Sequence, residues 1–146
     1  MRWTTVTVLA VVAAGCSDLR DYRGDWSGPR VGDAPIVKVG VRDGAFATLT
    51  IDDIDAHGLR ARMSIDGLVS NGLIESLPGA EADALANMTF AGSPLRVYLA
   101  FLAIPDGGGE ALTLIALYDD HRVETRVLRG GATPLYAIFA MTETAP

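Results

Sequence analysis

From Ile36 onward, apolar and polar residues alternate with a period of two, the mark of strands that bury one face. In VKVGVRDGAFATLTID, Val37, Val39 and Val41 fall on one side, with Lys38 and Arg42 on the other. Asp43-Gly44 suits a two-residue hairpin turn, which needs positive φ. On the return strand Ala47, Leu49 and Ile51 face in, and Thr48, Thr50 and Asp52 face out. ARMSIDG repeats the alternation, with Ala61, Met63 and Ile65 inward, and pairs back through DAHG. Residues 67–94 mix turn dipeptides with short apolar pieces, enough for one or two short strands and a helical turn at Ala80 to Ala86. Four further strand-like runs follow: LRVYLAFLAIP, ALTLIALY, RVETRVLR and PLYAIFAM. The turns between them, DGGGE, DDH and GGAT, are short, so successive strands become antiparallel neighbours.

The sum is an all-β domain, an antiparallel up-and-down meander of eight or nine strands. Val97 to Ile104 and Leu112 to Leu117 are apolar on both faces, which an open sheet could not sustain in water. Closure into a small barrel buries one face, and a flap or packed N-terminal segment covers part of the other. A β-sandwich is the alternative. Short turns at nearly every junction favour the barrel, because a Greek-key sandwich needs a long crossover.

The first residues follow a different pattern. Arg2 gives a positive start, and Trp3 to Ala14 then carries no charge. That run falls well short of the ~20 residues needed to span a hydrocarbon core, and reads as the h-region of a signal peptide. Small residues Ala13, Ala14 and Gly15 precede Cys16, the one cysteine of the chain. VAAGC resembles the bacterial lipobox, which implies cleavage before Cys16, lipidation of its thiol and attachment to a membrane. Ser17 behind the cysteine implies, by the same resemblance, sorting to the outer membrane of the cell envelope. The competing reading is a chance thiol after an ordinary secretory signal. A lone cysteine has no disulfide partner, and a free thiol is a liability in an oxidising compartment, which disfavours that reading. The chain thus divides into a cleaved signal at 1–15, a lipidated N-terminus with tether and lead-in at 16–35, and the barrel domain at 36–146.

The formal net charge is −6, with Lys38 the only lysine. Phosphate binding needs a basic face, so nucleic acid is not expected as a partner.

Just before the first expected strand stands YRGDWSG, in which Gly24, Asp25 and Trp26 are similar to the Gly-x-Trp opening of the lipocalins and their barrel relatives. The resemblance implies that Trp26 closes one barrel end while a basic residue of the late strands, Arg126 or Arg129, packs across its ring. The family's Thr-Asp-Tyr turn is missing, with LYDDH loosely in its place.

Candidate chemistry is sparse. Asp52, Asp53, Asp55 and His57 form one acidic group with a histidine, and Asp119, Asp120 and His121 another. Carboxylates with imidazole can bind a divalent metal or act as an acid and base pair. Both groups sit at expected turns, where Asp and His are common for conformational reasons, and neither has a recognised ligand spacing. No metal is therefore assigned, with His57, His121 and Asp119 as the candidates were one present. No serine lies in a Gly-x-Ser-x-Gly elbow, and the glycines of PDGGGEA join two strands and open no helix, so they do not form a phosphate cradle. No cofactor and no catalytic residue are read from the chain. Tyr98 and Phe101, with Leu99 and Leu102, are the candidates to line a ligand cavity, although core packing explains such residues more often. The sequence leads to a non-enzymatic, lipid-anchored envelope protein whose barrel binds a small apolar ligand or an envelope partner. The alternative is a filled barrel acting as a structural or protein-interaction module, and a metal-dependent enzyme is the least supported reading.

Overall fold

A computed structural model describes residues 18–32, 44–77, 90, 92–105, 109–131 and 134–145. A single 3-10 turn, Leu19–Tyr22, leads into eight strands. These are β1 (Gly24–Val31), β2 (Phe46–Ile54), β3 (Leu59–Ile65), β4 (Val69–Ser76), β5 (Arg96–Ile104), β6 (Gly109–Tyr118), β7 (Arg122–Arg129) and β8 (Leu135–Glu143). They form a closed antiparallel barrel in chain order, the up-and-down meander expected, and not a sandwich. Closure comes from β1, whose two edges pair with β2 and β8; Ser27 stands opposite both Thr48 and Thr142.

The period of two decides what fills the interior. Ala47, Leu49 and Ile51 of β2 and Ala61, Met63 and Ile65 of β3 all point inward and are buried, with Leu49 opposite Met63. From the late strands come Tyr98, Leu102, Ile115, Val127 and Phe139. Leu49, Met63, Ile74, Leu102, Ile115 and Phe139 each retain 0% of their accessible surface. Burying a side chain of this kind stabilises the fold by ~1.5–3 kcal/mol. On the outside, Val97, Ala116 and Tyr118 are covered by Phe90 of the connection before β5. This is the second buried face that the doubly apolar runs required.

Antiparallel register sorts the loops to two ends. One end carries the arriving 3-10 turn, the β2–β3 turn at 55–58, the β6–β7 turn at 119–121 and the end of β8. The other carries the β3–β4 turn and the starts of β2, β6 and β8.

Two expectations need correction. Residues 24–31, read as lead-in ahead of the barrel, are its first strand. GDWSGPRV looks like turn sequence, yet Gly28 is needed because a Cβ there would come within 1.8 Å of the Ala140 carbonyl oxygen at the closing seam. Pro29, which has no N–H to give, sits in the gap between the Ser27–Thr142 and Arg30–Phe139 pairs and faces out. The second correction concerns the first hairpin. Both edges of β2 are occupied, by β1 and β3, so β1 takes the place expected of the Val37–Val41 run. Val37, Val39 and Val41 lie outside the described residues, as does the helical turn expected at 80–86. Gly44 does adopt the positive φ expected of it, +77°.

Candidate functional site

At the end where the chain enters, three rings cluster. The Leu19–Tyr22 turn, capped by the Asp18 carboxylate accepting from the Arg20 N–H, delivers Tyr22 over the barrel mouth. Tyr22 and Trp26 lie 5.8 Å apart between centroids and within 16° of parallel. The Trp26 indole N–H donates to the Tyr22 carbonyl at 2.9 Å, and the Tyr22 hydroxyl donates to the Tyr118 carbonyl. Burial, then the nearby Asp119, Asp120 and Asp21, push the Tyr22 hydroxyl pKa up, so it remains a donor. Trp26 is buried.

Its ring partner differs from expectation. His121, held at φ +58° in the β6–β7 turn, places its imidazole 5.0 Å from the Trp26 ring and 5.2 Å from Tyr22. Its Nε2 lies 2.9 Å from Glu143 Oε2. Arg126 does not reach the tryptophan, because β7 turns Val123, Thr125 and Val127 inward and Arg126 outward. There the Arg126 guanidinium lies 4.3 Å from the Phe90 centroid and 2.6 Å from Glu124. Arg129 ends the same strand at the opposite end of the barrel, paired with Leu135. Neither arginine closes the barrel as the lipocalin resemblance implied.

His57 lies at the same barrel end as His121, in a turn organised by Asp55. One Asp55 oxygen accepts the N–H groups of His57 at 2.7 Å and Gly58 at 2.9 Å. These bonds hold the Asp55 carboxyl below its usual range. Asp52 is likewise held low, by a two-pronged contact with Arg62 at 2.7 and 3.0 Å. Asp52 and Asp55 thus have structural partners, and the described residues contain no group of three or more His, Cys, Asp or Glu placed to hold a metal. Cys16 lies outside the described residues.

The apolar stripe of β5 splits between two faces. Tyr98 and Leu102 point in; Leu99 and Phe101 point out. Tyr98 packs in the wall, its hydroxyl donating to the Asp55 carbonyl at 2.6 Å, and burial pushes its pKa up to about 12. Phe101 is 40% exposed on the outer surface, so it lines no interior cavity. An odd spacing of three residues puts the two on opposite faces of one strand.

Two clefts formed by described residues open on the outside. One, of about 390 Å³, lies beside the β2–β3 turn among Asp53, Asp55, His57, Arg60 and Glu75. The other, of about 270 Å³, runs over the β4–β5 seam and is lined by Leu73, Leu77, Phe101 and Ala103 together with Glu75 and Glu110. Sequence reasoning missed this second groove. Its one signal was the outward phase of Leu73 and Phe101, which the doubly apolar β5 run conceals.

No family model, curated protein or solved structure matches the chain.

Proposed function

We propose that this is a lipid-anchored envelope protein, non-enzymatic, whose filled barrel acts as an interaction module through its outer wall. The observation that carries the reading is the packed interior: large side chains from every part of the barrel meet there, and Tyr22 and Trp26 cover one end. The two buried polar side chains among the described residues are already engaged within the protein. Thr113 donates to the Ala111 carbonyl at 3.4 Å, and Thr125 contacts the Met141 sulfur at 3.7 Å. A ligand pocket ordinarily keeps a few convergent polar groups for orientation.

Attachment through Cys16 is supported by the VAAGC motif and by the polarity of the barrel. Its inside is apolar and its outside carries ion pairs such as Arg62–Asp52 and Arg122–Asp120. A barrel that spans lipid has the reverse arrangement. No helix among the described residues is long and apolar enough to cross a membrane.

A second reading, an apolar ligand inside the barrel, is favoured by one feature. Toward the end opposite Trp26 the inner wall includes the small residues Ala47, Ala111 and Ala137 beside Ile65, Ile104 and Leu135. Titration with cis-parinaric acid separates the two. The filled barrel gives no saturable fluorescence gain; one-to-one uptake competed by other fatty acids would establish the carrier and overturn the interaction module.

A further inference from the structure

The geometry points to the groove over the β4–β5 seam as the docking site for an extended segment of another protein, one presenting a large apolar side chain flanked by basic residues. The inference rests on the outer-wall reading above and names the partner's chemistry. Leu73 and Phe101 are 45% and 40% exposed on adjacent strands, and the groove between them holds about 270 Å³, room for one large side chain. Glu75, the cross-strand partner of Phe101, and Glu110, the partner of Ala103, line the groove beside them, and neither forms an ion pair among the described residues. Arg60 is the cross-strand neighbour of Glu75 on β3, yet no ion pair joins the two. The groove thus sets exposed apolar side chains beside two carboxylates that form no ion pair among the described residues.

That charge selects among occupants. A second copy using the same face would set Glu75 and Glu110 against the same glutamates of its partner. An anionic lipid surface would meet the same repulsion. In an extended segment, residues two apart share a face. An apolar residue seated between Leu73 and Phe101 would therefore carry basic residues at the positions two before and two after toward the glutamates. The net charge of −6 adds long-range attraction for such a segment, and this attraction weakens with salt.

The test uses the full mature chain and rhodamine-labelled peptides built on Lys-Ala-Phe-Ala-Lys, with Glu-Ala-Phe-Ala-Glu and Lys-Ala-Ser-Ala-Lys as comparisons. The first peptide should give a saturable anisotropy change that weakens with salt, and both comparisons should bind at least about tenfold more weakly. Phe101→Ser, and the pair Glu75→Gln with Glu110→Gln, should each weaken the first peptide by a similar factor. Leu128→Ser, an exposed apolar position outside the groove, should leave it unchanged. Thermal unfolding of each variant reports that the barrel is intact. Equal binding of the acidic peptide, equal loss with Leu128→Ser, or no saturation would overturn the proposal. So would a dimer that dissolves on Phe101→Ser, or binding to phosphatidylglycerol vesicles that depends on Phe101. A peptide failure in a barrel that also refuses cis-parinaric acid overturns the groove alone; uptake of the fatty acid overturns the outer-wall reading itself.

Discussion

Trp26 shows how one side chain can join several parts of a chain. Its ring contacts the turn before β1 through Tyr22 and the β6–β7 turn through His121, while its backbone lies between β2 and β8. Trp26→Ala should lower stability by about 3–5 kcal/mol, the range for losing a large buried aromatic; denaturant melts check this. Trp3 precedes Cys16, so after cleavage Trp26 alone reports on the fold. Its emission should be blue-shifted in the folded protein, and a red, easily quenched emission would count against the plug. Tyr98 is a second informative residue. The unfolded phenol ionises near pH 10 and the folded one at about 12, so between those values the unfolded state loses a proton that the folded state keeps. The Tyr98 contribution is complete below about pH 10 and is lost as pH rises toward 12. Tyr98→Phe should flatten that part of the stability profile and remove one of the late-titrating phenolates from the absorbance titration of the folded protein. At the acid limit the sign reverses: Asp52 and Asp55, held low by Arg62 and by backbone N–H groups, contribute stability that is lost as pH falls below about 4.

Among the elements, β1 is the most exposed to single substitutions. Gly28→Val would drive a branched side chain into the Ala140 carbonyl, so β1 and β8 could not keep their spacing. The expected outcome is loss of the cooperative melt, whereas Ser27→Val, one residue earlier, should leave a folded barrel. Gly44→Val should be milder, a strain of about 1–3 kcal/mol at a positive φ ahead of β2. These residues also explain what the sequence could and could not reveal. β2, β3, β7 and β8 were readable because their inward apolar positions alternate with mostly polar or half-exposed outward ones. β1 was hidden because Gly28 and Pro29 answer to a neighbouring backbone 110 or more residues away in sequence, which no local pattern records. Phe101 was misplaced because β5 is apolar on both faces, leaving its phase undetermined. The outward direction of Arg126 was legible, since Val123, Thr125 and Val127 already fill the inward phase of RVETRVLR; the family resemblance overrode that evidence. The His121 contact depends on the φ of a turn residue and left no trace in the pattern.

For the whole molecule, anchoring and closure matter most. Cys16→Ser should leave an uncut precursor that no longer carries lipid, read by intact mass and detergent partitioning; normal cleavage and release would replace lipidation with an ordinary secretory signal. Closure has a different consequence. Every other seam joins strands that follow each other in the chain, but β1 meets β8, and just past that strand the Thr144 hydroxyl donates to the Ser27 hydroxyl at 3.1 Å, 117 residues away in sequence. Local hairpins can zip as soon as their two strands exist, whereas this seam waits for nearly the entire barrel sequence. A chain threaded through a translocation pore N-terminus first would therefore emerge with the outer edge of β1 bare and its apolar inner face open to water. Bare edges and uncovered apolar faces are what aggregation recruits. On the secreted reading proposed above, the period of greatest risk is therefore transit, before the barrel has an inside.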